Sequence, residues 1–244
     1  LFKIFIMIFK KKIFLNEIDS TNNYLIELEK KINIDEGLVL ITDYQNNGRG
    51  RIGKTWQSEK AKNLLFSFVL KPTFLPLNKQ FFISIITSIA IFDLLQSYTS
   101  EKINIKWPND LLINKNKIAG FLIDFKIHSN KIKNCIVGCG ININQKSFSN
   151  LDNVTSLSLL TKKKLNRYKI LDNFLEIYSD IYCQLIDKKY DEIKIRYLSL
   201  VNNYISKTKF NNIESEIVVL DLQNNGDIIA LVDGVKKNIT FSRN

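Results

Sequence analysis

Between Tyr44 and Trp56 the chain reads YQNNGRGRIGKTW, and residues 48–55, GRGRIGKT, match the phosphate-loop pattern G-x-x-x-x-G-K-[ST]. Arg49, Arg51 and Lys54 alternate there with Gly48, Gly50 and Gly53. Glycines let a backbone approach a ligand closely, and cations at this density can neutralise a polyphosphate while the loop folds over it. The chemistry on offer is phosphate clamping, although the same composition also describes an ordinary solvated basic turn.

The elements around the loop decide which nucleotide chemistry is open to it. A nucleotidase P-loop follows a buried parallel strand directly and opens a helix. Here residues 43–47 separate the apolar run 37–42 from Gly48, and the sequence after Thr55 has no apolar helical period. Residues 120–124 (GFLID) have the composition of a Walker B strand, yet they fall among strand-like runs joined only by Asn/Lys/Ser turns.

The spacing predicts strands over 13–18, 37–42, 64–70, 104–106, 110–113, 117–125 and 135–143. Those from 104 onward must pair antiparallel, because parallel pairing needs a crossover of a dozen or more residues. Helices are predicted after an Asp19 or Ser20 cap, with Tyr24, Leu25, Leu28 and Ile32 on one face; over 81–95, apolar almost all round; and along Leu171, Phe174, Tyr178, Ile181 and Leu185. Runs 216–222, 228–232 and 235–240, joined by NNGD and DG turns, predict a small β-meander. The fold class is α+β: a mixed, largely antiparallel sheet flanked by helices over 7–205, then a β subdomain over 206–244. Residues 1–6, ahead of the single methionine Met7, are expected to be an extension outside both.

At 244 residues and 45% hydrophobic composition, the chain has the size of one large globular domain with a small appendage. Cys135, Cys139 and Cys183 form no CxxC pair, and with His128 as the lone histidine no protein metal site is expected. A reducing cytoplasm fits this cysteine usage best. In LFKIFIMIFKKKIF the apolar run is too short to span a bilayer and its basic cluster follows the apolar stretch, so neither a membrane helix nor a signal peptide is expected. A net charge of +11 suggests an anionic partner, but the lysines are scattered through Lys/Asn/Ile-rich sequence in the manner of compositional bias. No room precedes Ser20 for a helix-turn-helix domain, so no DNA partner of that kind is expected.

STN at 20–22, KWPNDL at 106–111, KIAG at 117–120 and GCGININ at 138–144 accompany the basic loop in a fixed order. Together these stretches resemble the biotin–protein ligases over about residues 13–144, with weaker echoes in TSL at 155–157 and in the meander. Without a DNA-reading head, the chain looks like their monofunctional class. The resemblance implies the class II synthetase-like fold of biotin and lipoate ligases, closed by an SH3-like β subdomain, in a cytoplasmic monomer or homodimer. It also implies two half-reactions. Biotin and ATP, the latter with Mg²⁺, give biotinyl-5'-AMP and pyrophosphate; the adenylate then acylates one lysine of a biotin carboxyl carrier domain.

On this resemblance Lys117 bridges the biotin carboxylate and the α-phosphate, and shares the catalytic role with Arg51. A compact ammonium on a rigid strand suits that position. Ser20, Thr21, Asn22 and Gln45 meet the neutral ureido ring, which needs matched donors and acceptors rather than charge. The same Ser20–Asn22 residues would serve equally as a helix cap. Arg49, Gly50 and Arg51 belong to the ligand-covering loop on the biotin side, and Arg49 and Arg51 face the nucleotide as well. Lys54, Trp56 and Asn142 fall on the nucleotide side, where Trp56 either stacks on adenine or fills the core. Gly120, Gly138 and Gly140 give room, Cys139 is a small filler, Lys106 and Asp110 form a supporting charge pair, and Trp107 and Pro108 shape a turn. The ending ITFSRN lacks the family's Gly-Glu, which leaves Arg243 without an assigned nucleotide contact. Two rivals stay open: a lipoate or octanoate ligase, and a basic nucleic-acid-binding module. The latter predicts interleaved aromatics or an RNA or DNA motif, which the sequence lacks.

Overall fold

The computed structural model describes residues 8–51, 53–149, 151–201, 206–210 and 213–240, of which 206–210 and 213–215 are described by backbone alone. Residues 1–6 and Arg243, on which expectations were placed, lie outside these. The first half runs β1 (Lys11–Ile18), α1 (Thr21–Lys31), β2 (Leu38–Gln45), β3 (Leu64–Leu70), α2 (Phe82–Gln96), β4 (Ile103–Lys106), β5 (Asp110–Ile113), β6 (Asn116–His128) and β7 (Lys131–Ile141). Then follow α3 (Leu157–Thr161), α4 (Arg167–Ile186), α5 (Tyr190–Val201), β8 (Ser206–Phe210), β9 (Ile213–Leu222), β10 (Ile228–Val232) and β11 (Val235–Ile239).

Seven strands form one sheet in the order β1-β2-β3-β7-β6-β5-β4. Only β1 and β2 pair in parallel, and α1 supplies the crossover such a pair requires; the other pairs are antiparallel. The sheet is thus mixed and largely antiparallel, as the turn lengths demand. No helix follows Thr55, so the loop lacks the P-loop setting; the GFLID run lies in β6, antiparallel to both its neighbours.

Alternation along the strands splits the core in two. Val39, Ile41, Phe66 and Phe68 point to α2 and α4, where Phe68, Phe174 and Tyr178 meet as an aromatic cluster. Leu38, Leu40, Val69 and Ile136 point the other way and pack with Leu25 of α1. Helix α2 is buried on nearly every side. The stretch Leu77–Gln96 is long and apolar enough to cross a membrane by length and composition, but 72% of that window is buried inside the fold.

Several elements, α3 among them, differ from expectation. On α1 the sheet-facing residues are Thr21, Asn22 and Leu25, while Tyr24 is 38% exposed and Ile32, already beyond the last turn in extended backbone, is 55% exposed. Helix α5 was not foreseen; its buried row Ile193, Tyr197 and Val201 is a narrow i, i+4 stripe among charges. Strand β8 was missed too, and makes the small C-terminal sheet four-stranded, β11-β10-β9-β8. This sheet sits against α5, with a 2.9 Å ion pair from Lys194 to Asp221. Its β9–β10 turn places Gly226 on the Phe81 ring, and the Gly226 carbonyl accepts from Trp107 Nε1 at 3.2 Å.

Candidate active site

On β6, Gly120, Leu122 and Asp124 share one face, opposite Gly140, Gly138 and Ile136 of β7; on β3, Ser67 and Val69 continue that face. Where Val69 and Ile136 stand, α1 covers the sheet. Further along, the side chains shrink to Ser67, Gly138, Gly140 and Gly120, and a cavity of about 480 Å³ opens. Ile217, Val219, Ile228 and Ile239 of the small sheet bound it on the other side. A volume of this order suits a small-molecule site.

The floor is polar and buried. Ser20 is 3% exposed and caps α1 by accepting from the Asn23 N–H, so capping and cavity lining coexist in one residue. Gln45 Oε1 accepts from the Thr21 backbone N–H at 2.8 Å, and Ser67 Oγ lies 2.6 Å from both Thr21 Oγ1 and Asn22 Oδ1. Asn22 Nδ2 donates to Asp124 Oδ2 at 2.7 Å. A Cβ on Gly138 would lie 2.0 Å from Asn22 Oδ1, so glycine there is what gives this amide its place.

The basic loop forms a small hairpin of its own. Trp56 N–H donates to the Gly48 carbonyl at 2.8 Å and Gly50 N–H to the Lys54 carbonyl at 2.7 Å. Arg49 grips Asp124 with two bonds of 3.2 Å and donates to Asn23 Oδ1 at 2.8 Å. Trp56 lies over the paired glycines: a Cβ on Gly140 would fall 2.4 Å from the indole, and one on Gly120 3.2 Å from it. The indole Nε1 is buried without a hydrogen-bond partner among the described residues.

Lys117 stands on the wall. Its backbone is held on both sides by the segment before α3, donating to the Asn153 carbonyl at 2.7 Å and accepting from the Thr155 N–H at 2.9 Å. Its Nζ lies 2.7 Å from Asp110 Oδ1 and 5.4 Å from the centre of the Trp56 ring. The contact with Asp110 is Coulombic rather than directional, because that oxygen has no partner of hydrogen-bond geometry. The expected partner of Asp110 was Lys106, its register neighbour across the β4–β5 turn. Lys117 takes that place because Gly120 faces Asp110 without a side chain and leaves a path for the lysine stem.

The lining carries five cations, Arg49, Arg51, Lys54, Lys106 and Lys117, against the single carboxylate of Asp110, so the cavity favours anions. Burial lowers the Arg51 pKa from its ordinary value, while the charge of Asp110 works against that fall. Cys139 also lines the cavity, and burial pushes its thiol far up, which fits an inert filler.

Every residue selected from the sequence lines this cavity except Asn142. Asn142 is 3% exposed, and its Nδ2 donates to the Thr155 carbonyl at 3.1 Å, pinning the segment that in turn holds Lys117. Ser67 and Asp124 escaped sequence reasoning. Their signal was a lone polar residue inside the apolar runs LLFSFVL and GFLIDF, at positions a buried strand reserves for apolar side chains.

Residues 14–142 match the model of the Biotin/lipoate A/B protein ligase family. The bifunctional ligase/repressor BirA of Bacillus spizizenii is 29% identical over 191 residues, 77% of this chain and 58% of that protein. The biotin–[acetyl-CoA-carboxylase] ligase of Paracoccus denitrificans is 32% identical over 127 residues, 51% of each. The chain spans little more than half the length of the first curated relatives, 58% and 52%. Among solved structures, the biotin protein ligase of Aquifex aeolicus in complex with biotin and ATP superposes with a TM-score of 0.77 at 28% identity, covering 95% of this chain and 96% of that one. The order of motifs, the sheet that gathers them around one anion-favouring cavity and the matched model agree: the chain belongs to the Biotin/lipoate A/B protein ligase family.

Proposed function

We propose that this chain activates biotin with ATP to biotinyl-5'-AMP and transfers the biotinyl group to a lysine of a biotin carboxyl carrier domain. What supports this most directly is the convergence of the STN, GRGRIGKTW, KWPND, KIAG and GCG stretches on one cavity. The Aquifex relative, whose structure holds biotin and ATP, supports the same pair of substrates. In the first half-reaction a carboxylate oxygen of biotin attacks the α-phosphorus, the bond to the bridging oxygen breaks, and pyrophosphate leaves with the electron pair. Both reactants are anionic, so the barrier falls where fixed positive charge is already in place. Lys117, restrained through its backbone and by Asp110, is the fixed charge; Arg51 and Lys54 bring further charge from the loop. In the second half-reaction an uncharged lysine amine attacks the acyl carbon, AMP leaves, and the amine proton passes to solvent.

Ser20, Thr21, Asn22 and Gln45 take the ureido ring, and Trp56, packed on Gly140 and Gly120, lies on the nucleotide side. Among the described residues no group of three or more His, Cys, Asp or Glu side chains gathers as a metal site. Mg²⁺ commonly binds through one or two carboxylates plus substrate phosphates. We therefore assign it to the ATP complex as it enters, with Asp110 the carboxylate at hand. We take 7–205 as the activating unit and 206–244 as a second unit, whose Ile217, Val219, Ile228 and Ile239 bound the cavity. Cys135, Cys139 and Cys183 stand outside any disulfide, which suits a reducing cytoplasm.

ATP–pyrophosphate exchange measured separately with biotin, lipoate and octanoate tests this. Exchange is expected with biotin. Exchange with lipoate or octanoate but not biotin would move the chain to the lipoate side of the family, and salt-dependent retention on nucleic acid without any exchange would overturn the enzyme altogether.

A further inference from the structure

Asp124 is the acidic residue of the GFLID run, and neither half-reaction uses it. It stands where two systems meet. From the floor comes a chain of hydrogen bonds whose direction follows from proton counting. Ser67 has one hydroxyl proton and lies 2.6 Å from two oxygens, Thr21 Oγ1 and Asn22 Oδ1. An amide oxygen only accepts, so Ser67 must donate to Asn22, and Thr21 must donate to Ser67. Gln45 Oε1 is then served by the Thr21 backbone N–H at 2.8 Å. With Asn22 Oδ1 committed to Ser67, its Nδ2 faces Asp124 Oδ2 at 2.7 Å and the Leu122 carbonyl at 3.3 Å. A carboxylate accepts only, so Asp124 locks that amide orientation. From the loop comes Arg49, held by both carboxylate oxygens at 3.2 Å. Arg49 sits at the root of the loop hairpin, in a bridge with Thr55, whereas Arg51 and Lys54 lie nearer its tip.

We propose that Asp124 is a positioning residue that ties the cavity floor to the clamp loop, fixing the Asn22 amide toward the bound ring while anchoring the loop root through Arg49. Arg49 thereby serves as a strut at the root of the loop. The ligand half of this proposal rests on biotin as the ring; the anchoring half does not.

Two substitutions separate the tasks. Asp124→Asn keeps an acceptor for Asn22 but loses the charge that holds Arg49; Asp124→Ala loses both. In the ligand-free full chain, trypsin cleavage after Arg51 and Lys54 should accelerate about tenfold in both variants, since a charge-assisted pair of hydrogen bonds is removed from the loop root. Biotin affinity, read by calorimetry, should fall about 10- to 100-fold in Asp124→Ala and by a few-fold at most in Asp124→Asn. Parent-rate cleavage in both variants overturns the anchor. Parent-like biotin affinity in Asp124→Ala overturns the tie to the floor. Should Asp124→Ala fail to fold, Arg49→Gln at a side chain 38% exposed gives the same loop measurement, and parent-rate cleavage there is equally fatal. A parent chain that binds no biotin would instead refute the proposed function and leave the cleavage comparison to decide the anchor.

Discussion

The wall and the loop of this cavity both offer cations, but they hold them differently. Lys117 is fixed at its backbone N–H and carbonyl and at its ammonium, in the middle of a sheet. Lys54 sits in a hairpin tip beside Gly53, around which a side chain would meet nothing within 4 Å. Charge that is already in place costs no reorganisation when the transition state forms, whereas charge on a loop must first be brought into position. The wall should therefore carry the rate and the loop the retention of what has been made.

The sharpest way to break this contrast is Lys117→Gln. Adenylation should drop about 10²- to 10³-fold, the usual cost of losing one preorganised charge. Acyl transfer from supplied biotinyl-AMP should suffer less, because the carboxylate is already activated. Full biotin-dependent pyrophosphate exchange in this variant would refute the assignment. Next comes Gly138→Ala, which forces a methyl into the place of the Asn22 amide. Overpacking of this kind costs about 1–3 kcal/mol, so biotin affinity should fall roughly tenfold or more, with Tm lowered by about 2–4 °C for each kcal/mol lost. Unchanged calorimetric titration would mean that the floor is softer than drawn.

Arg51→Ala should act on retention: free biotinyl-AMP appearing in solution is expected to rise about tenfold, while Tm stays near the parent value. Tight retention with parent activity would return Arg51 to the status of a surface charge. The smallest effect is expected for Lys54→Gln, about two- to threefold on pyrophosphate exchange, since an exposed loop charge is strongly screened. An inactive Lys54→Gln beside an active Lys117→Gln would reverse the contrast and restore the nucleotidase meaning of GRGRIGKT.

Much of this was legible in the chain because local rules and the global fold agree. Strand runs 64–70 and 110–113 coincide with β3 and β5, and the all-round apolar stretch became α2 within one residue. Helix α5 hid because its buried row is only Ile193, Tyr197 and Val201, and β8 because SKTKF lacks apolar alternation. The exchange of Lys106 for Lys117 beside Asp110 depends on a register shift between Leu111 and Leu112 and on the gap at Gly120, neither of which spacing along the chain reveals. Ser67 and Asp124 follow the same logic: their partners are 45 or more residues away, so only the folded sheet could name them.

The chain contains two tryptophans, and both line the cavity. Trp56 rides on the loop above Gly140, and Trp107 is bonded to the Gly226 carbonyl of the small sheet. All indole emission from this chain therefore originates at the walls of the site, and no label is needed to watch it. With Trp107→Phe the remaining signal follows the loop; with Trp56→Phe it follows the seating of the β9–β10 turn. Stopped-flow fluorescence on the two single-tryptophan proteins would then resolve, in time, which edge of the cavity responds first when ligand enters.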